Sequence, residues 1–409
     1  MDNIPDISEL LTFLQEFNVK TFNDKEDVFD IISKFLENNE NDNAFYIVDL
    51  GKVIGQYQRW VKNLPRVKPF YAIKCNPNTA VLRLLSQLGI GFDCASKNEI
   101  SLVLAQGVHP DKIIFANPCK ASGQIKFARS QDIDLMTFDD INELFKIRLY
   151  HPYANLVLRI TTDDSKSECR FSCKFGATME EIEEILGTAK SLKLNVVGVS
   201  FHVGSNCHSA EVYYQTLSDC KKVFDRAKNI GFNFNFLDIG GGFPGFDQSG
   251  RVSFEDIAIQ VNKGLDDFFI ELLNEEKLTV IAEPGRYLVS TSHTLVTNII
   301  GKKEKVINGE KNFVYTLNDG VYGSFNCIHF DHAVPKIMPY NERDGKTYKA
   351  TVFGPTCDSM DTIDRNCMLP DLAIGEWVYV ENFGAYSLAA SSFFNGFMPP
   401  ESFYIITMP

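Results

Sequence analysis

A chain of 409 residues is longer than one ordinary domain and suits one large domain with a smaller one, or two of similar size. Its 44% hydrophobic and 23% charged residues are those of a globular protein with ample material for a core. The formal net charge of -13 argues against a nucleic-acid partner, whose affinity rests on clustered Lys and Arg; a negative field would favour a cationic small molecule, but a charge that simply keeps the protein soluble is the plainer reading.

The amino-terminal stretch MDNIPDISELLTFLQEF carries acids where a signal peptide carries bases, and no apolar run approaches membrane-spanning length. A cytoplasmic protein with no membrane partner is expected. Ten cysteines lie without CxxC pairing, Cys169 and Cys173 being the only close couple, and read as reduced thiols rather than a disulfide frame. No metal site is expected.

Residues 1–44 hold two amphipathic helical patterns, Ile7 to Phe17 and Lys25 to Leu36, followed by a polar loop from Glu37 to Asn43. Short apolar runs then alternate with helical patterns. The runs are Pro69 to Ile73, Gly91 to Ala95, Lys112 to Ala116, Asp134 to Phe138, Asn155 to Ile160, Val196 to Val203, Phe236 to Ile239 and Leu278 to Ala282. Helical patterns between them include Thr79 to Leu88, Lys97 to Ala105, Asp140 to Leu149, Glu180 to Leu192, Val212 to Asn229 and Phe254 to Leu273. Strands alternating with helices pair in parallel, because a crossover helix returns the chain to the same edge. Eight such units fit a closed (β/α)8 TIM-like barrel better than the open doubly wound sheet, which is the alternative. Polar residues recur where the runs end: Lys74, Asp93, Asn117, Asp139, Arg159, His202, Asp238 and Glu283. In such barrels that rim carries the chemistry.

After Arg286 the texture changes to alternating apolar runs separated by Gly, Pro, Asn and Asp, which predicts a second, mostly antiparallel β-domain. The expected division is residues 1–44 as an amino-terminal segment packing with the β-domain, 45–285 as the barrel and 286–409 as the β-domain.

Within PFYAIKCN, Lys74 is either a solvated strand terminus or an amine aimed into the barrel mouth. FLDIGGGFPG sets Gly240, Gly241 and Gly242 directly after a strand. With no Cβ in the way, several N–H groups can surround one phosphate; a tight turn needing positive φ is the other reading. In AEPGRYLV, Glu283 could face the ring nitrogen of a pyridine cofactor while Arg286 clamps its phosphate, or the two could form an ion pair with each other. SFHVGSN places His202 where imidazole can stack on a ring or serve as acid or base, with Ser205 free to donate to phosphate; a structural histidine is the plainer alternative. Cys357, beside Asp358 in GPTCDSMD, could transfer a proton or simply pack.

These motifs, with FDCASKNEI, FANPCK, LRITTDDSK, DGVYGSFNC and ENFGAYS, resemble the eukaryotic ornithine decarboxylases of the alanine-racemase-like class of pyridoxal-phosphate (PLP) enzymes, and the likeness runs over nearly the whole chain. The resemblance implies a barrel plus β-domain, a Schiff base between Lys74 and PLP, Glu283 on the pyridine nitrogen and His202 on the ring face. It assigns the phosphate to Ser205, Gly240 to Gly242, Arg286 and Tyr386, and makes Asp93 and Arg159 shape the lysine's surroundings. It further implies a homodimer with shared active sites, in which Cys357 and Asp358 come from the opposite subunit and Tyr322 lies near the interface. Cys357 would protonate Cα, and Asp331 and Asp358 would receive the distal ammonium of a basic amino acid. Asp331, the shorter acid, leans towards ornithine, since a relative acting on arginine carries Glu there; lysine, arginine and diaminopimelate remain alternatives. A non-catalytic regulator resembling the antizyme inhibitors is the rival from another class. Phe330 replaces the family's Tyr. Lys120 to Pro152 corresponds to the antizyme-binding region, but its acids leave the charge mixed, which does not support antizyme binding. The chain ends soon after FFNGF without the tail that marks some members for degradation, so turnover through that tail is not expected.

Overall fold

The computed structural model describes residues 7–23, 26–37, 41–341 and 345–408. The chain divides into two compact units: Gln56–Leu288 with the segment ending at Phe13, and Leu14–Gly55 with the segment beginning at Val289.

The first unit is a closed parallel barrel whose strands are β1 (Lys68–Ala72), β2 (Gly91–Cys94), β3 (Ile113–Phe115), β4 (Leu135–Phe138), β5 (Asn155–Arg159), β6 (Asn195–Ser200), β7 (Phe236–Asp238) and β8 (Thr279–Ala282). Each pairs with its sequence neighbour, and β8 closes on β1 through Ile281 opposite Lys68. Phe70, Ile114, Val157 and Phe236 of the odd-numbered strands meet with Ile281 in one buried cluster, so the barrel is filled rather than hollow. The helices start where short polar side chains satisfy their first N–H groups: Asn78 accepts from Ala80 and Val81, and Ser96 from Glu99. Ser253 closes a capping box with Asp256 ahead of Phe254–Asn274.

In the second unit the strands run in the order Lys20–Asn23, Glu401–Met408, Phe45–Asp49, His293–Ile307, Glu310–Leu317, Tyr348–Phe353 and Thr362–Leu369, with Trp377–Val380 also on His293–Ile307. Most pairs are antiparallel, but Glu401–Met408 runs parallel to both its neighbours and Tyr348–Phe353 runs parallel to Glu310–Leu317. The helix Val28–Leu36 turns Ile31, Ile32 and Phe35 onto Phe22, Phe45, Ile47 and Val296 of this sheet.

The unit boundaries correct those expected from the sequence. Phe45–Asp49, assigned to the barrel by position, is instead a strand of the second sheet, paired with His293–Ile307 and Glu401–Met408. All five of its residues are buried, and such a run looks the same in either setting. The first helix, Ile7–Phe13, packs against Thr79–Gln87 of the barrel unit instead of the β-domain. It stops at Leu14, before a separate turn at Gln15–Phe17, rather than continuing to Phe17. The second begins at Val28, capped by Asp27; Lys25, where its start was expected, lies outside the described residues, as do residues 38–40 of the expected loop.

Candidate active site

Lys74 lies in the single turn Ile73–Cys75 that follows β1. The turn is held by the Asn76 N–H on Ile73 O at 3.0 Å and by the Tyr71 hydroxyl on Asn76 O at 2.9 Å. Lys74 Nζ donates to Asp93 Oδ2 at 3.1 Å; the Asp93 side chain on β2 is buried, whereas that of Lys74 is 39% exposed. An amine so placed is charge-paired yet reachable.

Glu283 follows β8 and Asp238 ends β7, so adjacent strands deliver two buried carboxyl groups side by side. Burial first, then the charges of Asp238 and Asp93, push the Glu283 carboxyl well above the usual range; burial raises Asp238 as well. Burial thus biases the pair towards its protonated form. Glu283 Oε1 is buried and meets no hydrogen-bond partner among the described residues. Such an atom costs free energy unless a ligand satisfies it.

His202 follows β6. Its Nδ1 accepts the Gly204 N–H at 3.0 Å, which puts the ring proton on Nε2. Burial, reinforced by the positive charges of Arg159 and Lys74, drives its pKa well below the ordinary histidine value, so the ring is neutral. Arg159, the last residue of β5, lies over the Phe175 ring at 4.9 Å.

The three glycines after β7 form a cradle. Gly240 and Gly242 have φ of +62° and +102°, which side chains rarely adopt. At Gly241 the reason is proximity, because a Cβ there would stand 2.8 Å from Glu283 O and 2.9 Å from His202 Nε2. Arg286 Nη2 donates to Ser205 Oγ at 3.0 Å. Ser205 is held by a short antiparallel ribbon, Ser205–Cys207 against Ser167–Cys169. The barrel unit thus brings together Lys74, Asp93, Arg159, His202, Ser205, the glycines, Glu283 and Arg286. Asp238, seen in the sequence only as one of the polar rim residues, joins them as the partner of Glu283.

The other expected residues belong to the second unit. The Tyr322 hydroxyl donates to Asp358 Oδ2, and the Tyr322 ring stacks on Phe394 with centroids 4.4 Å apart. Cys357 is exposed, its N–H on Asn395 Oδ1 at 2.9 Å. Hydrogen bonds from the Met360 N–H and Tyr322 hold the Asp358 carboxyl below its ordinary pKa. Buried Asp361, which the sequence reading did not single out, ties these loops together: it accepts from Val321 N–H at 2.8 Å and Thr356 N–H at 2.9 Å. Asp331 is buried, and Tyr386 adopts a φ of +59°, a strained conformation for a bulky side chain. Phe330 is 70% exposed. Among the described residues no group of three or more His, Cys, Asp or Glu could hold a metal.

A barrel rim that combines a lysine, a buried unpartnered carboxyl and a glycine–arginine cradle has the groups that could hold a phosphate-bearing cofactor. The chain belongs to the pyridoxal-dependent decarboxylases: residues 50–290 match the pyridoxal-binding domain of that family. Over 395 residues it is 46% identical to an ornithine decarboxylase of Mus musculus, spanning 94% of this chain and 85% of the relative. It is 47% identical over 388 residues to antizyme inhibitor 2 of Xenopus laevis, spanning 92% and 84%. The arginine decarboxylase of Paramecium bursaria Chlorella virus superposes with a TM-score of 0.87 at 35% identity, covering 92% of this chain and 100% of that one. The cofactor of the family is PLP, and the residues present fit it. Glu283 Oε1 offers the missing partner for a ring nitrogen, the glycines leave room for a phosphate, and Lys74 supplies an amine.

Proposed function

We propose that this protein is a PLP-dependent decarboxylase of L-ornithine, releasing putrescine and CO2 as the first step of polyamine biosynthesis. The observation that carries the reading is the buried, unpartnered Glu283 Oε1 on the same rim as the Lys74–Asp93 pair and the glycine cradle. Relatives named ornithine decarboxylase, matched over most of the chain, support the choice of substrate.

When bound, PLP supplies an electron sink for the pair left behind as the substrate carboxylate departs. Lys74 would supply the amine that holds the cofactor's aldehyde end, and Asp93 keeps that amine in place. Glu283, whose carboxyl is raised by burial and by the charge of Asp238, would face the pyridine nitrogen and hold a proton there. Neutral His202 would cover one face of the ring. Ser205, Gly240 to Gly242 and Arg286 hold the phosphate, as charge-assisted bonds to guanidinium favour.

The partner subunit's Cys357 delivers the proton to Cα, and the partner subunit's Asp358, with Asp331, receives the distal ammonium. Exposed Cys357 and half-buried Asp358 are tied to the 393–398 segment through Asn395 and Phe394, and that segment exposes Phe393, Phe394, Phe397 and Met398, apolar surface of the kind that a second copy covers. Ten free cysteines suit the reducing cytoplasm, and among the described residues no helix is long and apolar enough to cross a membrane. No antizyme partner is proposed, because Lys120, which opens the corresponding segment, is buried against Glu143 rather than displayed.

The likeness to an antizyme inhibitor calls for a test of catalysis itself. Comparing kcat/KM for ornithine, lysine, arginine and diaminopimelate on one preparation should show ornithine preferred. No CO2 from any of them would overturn the enzyme reading, and a preference for another amino acid would overturn the substrate.

A further inference from the structure

Between β5 and the helix Ile182–Ser191, residues 161–176 form a loop whose ends meet: Thr161 N–H donates to Ala177 O and Ala177 N–H to Arg159 O, each at 2.9 Å. Compact loops of this kind are frequently functional. This one touches three of the side chains assigned to the cofactor. The Phe171 ring meets the His202 ring edge-on, with centroids 5.0 Å apart. The Phe175 ring lies under the Arg159 guanidinium. The strand Ser167–Cys169 pairs Cys169 with Ser205, while Ser167 Oγ donates to Val203 O at 2.5 Å.

One buried carboxylate organises the loop. Asp164 Oδ2 accepts the Phe171 N–H at 2.5 Å and the Ser172 N–H at 2.7 Å, and its Oδ1 accepts the Ser172 hydroxyl at 2.6 Å. Its own carbonyl accepts the Ser167 N–H at 3.0 Å. The loop base is fastened separately, by Gly176 N–H on Asp139 Oδ2 at 2.8 Å. Asp164 touches none of the cofactor residues directly; it acts through Phe171 and Ser167.

We propose that Asp164 is a positioning residue that holds this strap against the barrel mouth, so that Phe171 fixes the plane of His202 and the ribbon fixes Ser205. Every hydrogen bond that converges on Asp164 comes from the loop itself, three to its carboxylate and one to its carbonyl. A carboxylate accepting several backbone N–H groups fixes a turn, and each bond to a charged acceptor is worth about a tenfold or greater change in an equilibrium. The proposal rests on the reading that His202 and Ser205 contact PLP.

The strap carries three exposed trypsin sites, Lys166, Arg170 and Lys174, which give a readout independent of turnover. Asp164→Ala should speed cleavage at these sites and weaken PLP binding by about tenfold or more, while the thermal midpoint of the PLP-free protein stays near wild type. Asp164→Asn, which keeps one acceptor oxygen, should recover part of both. Phe171→Ala should weaken PLP binding without exposing the strap to trypsin, and it serves as the test if Asp164→Ala does not fold. Wild-type cleavage rates and PLP affinity in Asp164→Ala, or wild-type PLP affinity in Phe171→Ala, would overturn the proposal. Failure of the wild-type protein itself to bind PLP would overturn the reading of the site, and the proposal with it.

Discussion

Replacing Gly241 by alanine tests the cradle by adding a single methyl group. The φ at Gly241 is not among the positive ones, so alanine meets no backbone strain there and the cost is steric. The new Cβ would stand 2.8 Å from the Glu283 carbonyl oxygen and 2.9 Å from His202 Nε2. Neither neighbour yields easily, since Glu283 N–H is bonded to Gly240 O at 2.7 Å and the His202 ring is held by the Gly204 N–H. Overpacking of this kind costs about 1–3 kcal/mol. If the site rather than the whole barrel absorbs it, PLP affinity falls by roughly 5–150-fold. Gly187 is the control, because it lies exposed in the helix Ile182–Ser191 with nothing within 4 Å of a new Cβ. Gly187→Ala should stabilise by about 0.5–1 kcal/mol and leave PLP binding alone. Spectroscopic PLP titration and thermal unfolding, run on both variants, separate the two effects. Wild-type PLP affinity in Gly241→Ala would refute the assignment of this cradle.

Inactive Lys74→Ala protein mixed with inactive Cys357→Ala protein should regain part of the activity, since each heterodimer would hold one intact site; no recovery despite demonstrated subunit exchange would argue against shared sites. In the second unit, burial raises the Asp319 pKa from 3.8 to about 6. A folded value above the unfolded one contributes stability that is present at acid pH and lost as pH rises through about 6, with a bound of about 3 kcal/mol from the size of the shift. Asp319→Asn should therefore raise the unfolding midpoint more at pH 8 than at pH 5, and an equal change at both would contradict the reasoning.

The barrel was legible because its signal repeats. All eight strands occur where the apolar runs place them, and the rim residues are close together because strand ends in a closed barrel must be. What the sequence hid depends on partners distant in the chain. Nothing in Asp238 marks it as the buried carboxyl neighbour of Glu283, since that relation arises only when β7 pairs with β8. Asp164 reads as an ordinary loop acid until residues 171 and 172 fold back onto it. Phe45–Asp49 was misassigned because a strand buried on every residue carries no period to say which sheet receives it.

The central claim, that Lys74 carries the cofactor, is tested by reducing the PLP-loaded protein with borohydride and mapping the labelled peptide. The account predicts a pyridoxyl group on Lys74 and on no other lysine, and no label in Lys74→Ala. A label on another lysine, or none in protein that has bound PLP, would contradict it.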